Sequence, residues 1–244
     1  MEKSKCYTES FQMKYGEGDF LGRVRPAVLM RYVEHVALKH ATLLGVTREF
    51  NESYHMVFLL AKQAIEFRRM PRADEVLTFV TQPEHSKRLK FRRVTLIYDA
   101  AGEEVACVDS IWVLMDIDTH KLLRRSPVPF DEQWDVQIDR LVDMRVPKVS
   151  LLAACGEFNA MYTNCDANGH MNNANYFDVV CDVLPTNEMR QRELKRIMVN
   201  YHRELLLGEC MQVKIGQGEN GAYIVGNKGQ DENKSPVFEA FCVY

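Results

Sequence analysis

Cys165-Asp-Ala-Asn-Gly-His-Met-Asn-Asn-Ala-Asn-Tyr-Phe177 packs Asp166, Asn168, His170, Asn172 and Asn173 at one- and two-residue spacing. Alone, such a stretch is what any turn before a helix uses, because Asp, Asn and Gly suit turn geometry. A second copy changes that reading. Tyr15-Gly-Glu-Gly-Asp19-Phe-Leu-Gly22-Arg23 lies over Tyr162-Thr-Asn-Cys-Asp166-Ala-Asn-Gly169-His170, with Tyr, Asp and Gly coinciding at an offset of 147. Further on, Ile65-Glu-Phe67-Arg-Arg69 lies over Val199-Asn-Tyr201-His-Arg203, and Glu75 over Glu209, at an offset of 134. Several matches in order with one indel mark an internal repeat. The smaller offset places a longer connection in the first copy, around Thr47 to Met56.

Each copy reads as a strand or loop, one long helix and then several strands. Pro26 to Leu44 carries Val28, Leu29, Tyr32, Val33, Val36, His40, Leu43 and Leu44 at helical spacing, with Pro in the first turn and Gly45 as a stop. Strands are predicted at 57–68, 75–82, 89–98 and 104–115. The second copy predicts a helix over 173–184 and strands at 196–205, 209–216, 221–227 and 236–243. A helix laid on an antiparallel sheet, twice over, is an α+β architecture whose two sheets can meet edge to edge and mimic a dimer. The predicted division is 1–125, a connection over 126–150 rich in Pro and charge, and 151–244.

Composition narrows the function classes. Of 244 residues 46% are hydrophobic and 27% charged, which is ordinary for a globular protein. A net charge of -3 argues against a dedicated nucleic-acid binder. Seven scattered cysteines without a CxxC pair fit reduced thiols better than disulfides or a zinc site. The absence of a long apolar run predicts no membrane insertion, and a cytoplasmic location is expected.

With these residues in hand, the chain resembles the acyl-acyl carrier protein thioesterases, a family built as a tandem hotdog fold. The resemblance runs through Leu29 to His40, Val57 to Pro71 and Trp112 to Thr119. Its specific part is Asp166-x-Asn168-x-His170-x-Asn172-Asn173 followed by Tyr201-His-Arg203-Glu204. It implies hydrolysis of fatty acyl-carrier-protein thioesters without a cofactor or metal. It also implies catalytic roles for Asp166, Asn168, His170 and Glu204, and acyl carrier protein as partner. A homodimer is compatible with it.

Those residue types suit the chemistry. Thioester hydrolysis needs an activated water, and imidazole is the side chain suited to a base near neutral pH. If the segment is extended, Asn168 lies on the same side as His170 and can orient the water or polarise the carbonyl. Backbone N–H groups near Gly169, Asn172 and Asn173 precede the helix and can face an oxyanion, with Asn172 or Asn173 as N-cap. Glu204 shares a strand face with Met198, Asn200 and His202, from which it can hold His170 or take the water's proton. The first copy has Leu21, Arg23 and Met70 where the second has Asn168, His170 and Glu204, which predicts one active and one structural half.

Plant members of the family carry Cys directly after the Glu. Here that residue is Leu205, and direct water attack is expected, with Cys165 and Cys210 inert. A coenzyme A thioesterase on the same fold, with Asp166 as key carboxylate, is the alternative. Leu29, Val33, Val57, Leu59 and Ile111 are candidates for an acyl slot. An acidic carrier calls for a basic surface, for which Lys87-Arg88-Leu-Lys90-Phe-Arg92-Arg93 is the first candidate and Arg68, Arg69 and Arg72 the second.

Overall fold

Runs of Val, Ile, Phe and Thr bounded by turn residues commit most of the chain to extended backbone. The computed structural model describes residues 5–84, 90–123, 138–229 and 235–244. The first half contains β1 (Tyr7–Gln12), α1 (Pro26–Leu43), α2 (Arg48–Ser53), β2 (Met56–Phe67), β3 (Val76–Pro83), β4 (Phe91–Tyr98) and β5 (Glu104–Asp116). The second contains β6 (Ala153–Asn159), α3 (Asn175–Val183), α4 (Thr186–Gln191), β7 (Arg196–Tyr201), β8 (Cys210–Gly218), β9 (Gly221–Asn227) and β10 (Phe238–Val243). The strands form one antiparallel sheet in the order β1-β3-β4-β5-β2-β7-β10-β9-β8-β6.

That order is a palindrome of the repeat. Each half puts its first strand at the outer edge and the strand after its helices at the centre. There β2 pairs with β7, and Ala64 lies opposite Met198. These two residues are also counterparts at the offset of 134, so a pseudo-twofold axis passes through the pair. The expected α+β tandem hotdog is the observed architecture.

Pro26 opens α1 at its first position, and Val28, Leu29, Val33, Val36, Ala37 and His40 form its buried face. Leu29 and Val33 pack with Leu77, Phe79, Ile97 and Val108 of the sheet. Leu43 departs from the predicted stripe; at the last turn it is 63% exposed. The connection after α1 holds α2, which the sequence did not announce, with Thr47 Oγ1 accepting the Phe50 N–H at 3.2 Å as its N-cap.

The opposite face of the sheet is covered by the segment read as a connection. Ile138 and Val142 are buried there with Ala64, Val94, Cys107, Met198 and Tyr223. This layer corrects the first docking candidate. Lys87 and Arg88 lie outside the described residues, and Arg92 and Arg93 are interior, 8% and 9% exposed. They sit on a strand flanked on both edges and covered on both faces. The acyl-slot candidates are also split, because Leu29 and Val33 face one side of the sheet while Val57, Leu59 and Ile111 alternate to the other. Among the described residues, no helix is long and apolar enough to cross a membrane.

Candidate active site

The two copies of the turn share most of their bonds, the exception being the Arg23 N–H, which donates to Asp19 Oδ1 at 2.9 Å where the His170 N–H has no such bond among the described residues. Asp166 N–H donates to the His170 carbonyl, and Gly169 N–H to the Asp166 carbonyl, each at 3.0 Å. Asp19 N–H to Arg23 and Gly22 N–H to Asp19 repeat this at 2.7 and 2.9 Å. Asp166 Oδ1 accepts the Asn168 N–H at 2.8 Å, as Asp19 Oδ1 accepts that of Leu21. Gly169 and Gly22 hold left-handed φ values of 79° and 73°, which explains why both copies keep Gly. Gly169→Ala and Gly22→Ala should each cost about 1–2 kcal/mol of stability, read as a fall of several degrees in Tm. Only Gly169→Ala should also lower kcat; equal loss of turnover in both would detach the second turn from catalysis.

What fills the two turns differs. In the first half Asp19 Oδ2 accepts from Arg23 Nε at 3.0 Å, an ion pair whose Arg is buried, and Met70 is buried at the position matching Glu204. In the second half His170 stands between two carboxylates. Its Nδ1 is 3.7 Å from Asp166 Oδ2 and its Nε2 is 3.9 Å from Glu204 Oε1. Nδ1 also lies 3.3 Å from the Met171 carbonyl, to which an Nδ1–H can donate, leaving Nε2 as the basic nitrogen toward Glu204. The Nε2–Glu204 gap is too long for a direct hydrogen bond and short enough for one water to bond both groups. Glu204 is the open side of the site, its side chain 56% exposed against 19% for His170.

Two sequence expectations change here. β7 ends at Tyr201, because His202 and Arg203 both turn their N–H groups to the single Val237 carbonyl. Glu204 therefore lies in the following loop and shares no strand face with Met198 and Asn200; the His170–Leu206 bridge brings that loop to the turn. The turn is also not extended, so period-two alternation does not place Asn168 beside His170. Asn168 is exposed, and among the described residues its side chain makes no hydrogen bond to His170 or Glu204.

The backbone donors are mostly committed. The N–H groups of Gly169, Met171 and Asn172 go to the carbonyls of Asp166, Leu205 and Asn164. Gly169 and Asn172 thus cannot serve an oxyanion through their amides, and among the described residues the N–H groups of His170 and Asn173 are the two in the run from Gly169 to Asn173 that have no acceptor. The N-cap of α3 is Ala174, which makes no side-chain cap bond, so neither Asn172 nor Asn173 fills the expected capping position. Asn172 Oδ1 closes the turn before the helix by accepting the Ala174 N–H at 2.9 Å.

Supporting residues that sequence reasoning left without a role hold this loop. Asn172 Nδ2 donates to Glu34 Oε2 of α1 at 3.0 Å. Buried Asn175 donates to the Asn164 carbonyl at 2.7 Å and accepts from Arg31 Nη2 at 2.5 Å. The Tyr201 hydroxyl lies 3.0 Å from the Asn173 carbonyl and 3.3 Å from Gln63 Oε1. Tyr201 stood in the motif; Glu34 and Gln63 fell within the resembling stretches Leu29 to His40 and Val57 to Pro71, but nothing local marked them as partners of the site. Leu205 is fully buried, and burial raises the Cys210 thiol above its ordinary value, so neither position offers a thiolate.

Family models match on both halves: the acyl-ACP thioesterase N-terminal domain over residues 4–131 and the C-terminal domain over 153–235. The chain belongs to the acyl-ACP thioesterase family. Curated relatives of this family include two chloroplastic proteins of Arabidopsis thaliana. Oleoyl-acyl carrier protein thioesterase 2 is 24% identical over 84% of this chain and 61% of its own length. Oleoyl-acyl carrier protein thioesterase 1 is 23% identical over 96% and 71%. The chain thus spans about 61% of the first of these. Among solved acyl-ACP thioesterase structures, one from Bacteroides thetaiotaomicron VPI-5482 is 21% identical, with a TM-score of 0.86 over 100% of this chain and 99% of its own. The 12:0-ACP thioesterase from Umbellularia californica is 16% identical, with a TM-score of 0.79 over 98% and 97%. Both share the fold.

Proposed function

We propose that the protein hydrolyses the thioester of fatty acyl-acyl carrier protein, releasing free fatty acid, from a single site in its second half. The observation that carries this reading is the contrast between the turns: His170 stands between Asp166 and Glu204, where the first half closes the same position with the Asp19–Arg23 ion pair. A water bonded by His170 Nε2 and Glu204 attacks the thioester carbon, and its proton passes to this pair. The Asn173 N–H, at the start of α3, is the donor for the oxyanion. Collapse of the tetrahedral species expels the carrier's thiolate, which takes the proton back.

Asp166 supports the loop. Its Oδ1 is held by the Asn168 N–H, and its Oδ2 faces His170 on the side away from Glu204. This disfavours Asp166 as the base, the role the coenzyme A alternative would give it. Asn168, on the exposed rim, is the residue to contact the arriving thioester. The acidic carrier meets the guanidinium of Arg68, 61% accessible with Glu104 Oε1 3.5 Å from its Nε, and the exposed Arg72 four residues on.

One acyl group presented on acyl carrier protein and on coenzyme A tests the reading. A kcat/KM at least tenfold higher on the carrier protein is expected. Equal or faster turnover of the coenzyme A ester would replace the carrier-protein assignment, and hydrolysis of neither would end the thioesterase reading.

A further inference from the structure

Neighbouring residues Arg92 and Arg93 of β4 point to opposite faces of the sheet and meet opposite fates. Arg92 is fully compensated. Its Nε and Nη2 reach Asp109 at 2.9 and 2.6 Å, its Nη1 reaches Glu84 at 3.3 Å, and the Ile138 and Arg140 carbonyls take the rest. Burial pulls its guanidinium down, but Asp109 and Glu84 outweigh burial and raise it. Arg93, on the α1 face, has His40 Nδ1 at 3.1 Å and Thr81 Oγ1 at 3.3 Å. Among the described residues no carboxylate pairs with it. Burial alone draws this guanidinium down to about 10, so it stays charged near neutral pH. A buried cation facing an imidazole and a hydroxyl, with no carboxylate beside it, is costly, and such a group calls for an anion.

Its position shows where that anion would come from. Arg93 is paired across the sheet with Ser110, Ser110 with Gln63, and Gln63 with Val199. Directly opposed residues share a face, so these form one row under α1. With strands about 4.8 Å apart, Arg93 lies about 10 Å from Gln63 and about 14 Å from Val199. The row's near end touches the catalytic loop, through Gln63, the Tyr201 hydroxyl and the Asn173 carbonyl. The helix above follows the same course. Glu34 holds Asn172 of the catalytic loop, and His40, six residues or about 9 Å further along α1, meets Arg93. Floor and roof both run from His170's loop to the same buried cation.

We propose that Arg93, flanked by His40 and Thr81, receives a carboxylate at the far end of the acyl group, making the preferred substrate a thioester whose chain ends in an anionic oxygen function. This rests on the thioesterase reading above and adds the class of chain. Arg93 is then a specificity-determining residue that touches substrate away from the reacting atoms.

The test compares plain acyl chains with ω-carboxy chains of matched length, each loaded on acyl carrier protein and offered across a length series. The wild-type protein should turn over its best ω-carboxy substrate with a kcat/KM at least tenfold above the plain chain. Arg93→Met should collapse that ratio to one or below, while Arg93→Lys, which keeps the charge, should retain part of it. A purely structural role would lower both rates together and leave the ratio unmoved. If Arg93→Met fails to fold, protection of the wild-type Tm by a free dicarboxylic acid over the matching monocarboxylic acid supplies the second reading. Preference for the plain chain at every length, or equal protection by the two acids, overturns the proposal and leaves the thioesterase reading standing. Hydrolysis of neither substrate overturns both.

Discussion

Replacing His170 with alanine is expected to lower kcat on an acyl-carrier-protein substrate by about a hundredfold to ten-thousandfold, the range general-base catalysis contributes. KM should change little, because in the proposed mechanism the imidazole acts on the water while the acyl chain and carrier bind elsewhere. The fold should survive: His170 is partly exposed, and among the described residues the one hydrogen bond of its side chain, to the Met171 carbonyl, is long at 3.3 Å. Glu204→Gln should give a loss of the same order, since the amide can still orient a water but can no longer take up its proton. The double variant should be scarcely worse than either single one, as happens when two groups act as a unit. Multiplying losses would instead assign the two residues to separate steps. Steady-state kinetics on the three variants, with a melting curve for each, decides the matter, and near-wild-type turnover in either single variant would sink the assignment.

The largest effect on stability is expected from Arg92→Ala. The guanidinium forms a two-pronged pair with Asp109, which is 2% exposed, and also binds the Ile138 and Arg140 carbonyls. Asp109 in turn lies 3.4 Å from the Val142 N–H. The pair therefore fastens the stretch that carries Ile138, Arg140 and Val142 to the sheet. Truncation leaves a buried carboxylate without its counter-ion, which costs about 3–5 kcal/mol. At about 2–4 °C per kcal/mol for a chain of this size, the Tm should fall by roughly 10 °C. Removing both charges together, as Arg92→Met with Asp109→Leu, should recover much of the loss, because a well-packed apolar pair can replace a buried ionic one. A fall below about 2 °C in Arg92→Ala would mean that solvent reaches Asp109.

The repeat was legible because turns, strands and helices of the two halves obey the same local chemistry. Asp19 and Asp166, Gly22 and Gly169, and Glu75 and Glu209 all make matching bonds. His170 and Glu204 could be picked out as the substitutions within that pattern. Three things were hidden. Arg92 and Arg93 looked like a charged, solvated strand because a strand's burial depends on what lies over each face, and the cover over Arg92 comes from a Pro-rich segment with the composition of a linker. Glu204 was misplaced because the end of β7 is set by a shared acceptor, the carbonyl of Val237 just before β10, more than thirty residues later. Glu34 and Gln63 escaped notice because their partners in the site, Asn172 and Tyr201, are each 138 residues away.

The seam where β2 meets β7 has a further consequence. In a pair of identical chains, the residue on the twofold axis must face a copy of itself, and every change there is made twice. Here Ala64 faces Met198 on that axis, a small side chain against a large one, both buried in the same cluster. No symmetric dimer can adopt that packing. Joining the halves covalently also holds one beside the other at an effective concentration on the order of millimolar, so dilution does not part them. Freed from both symmetry and mass action, one half could lose its chemistry and remain indispensable as half of the sheet.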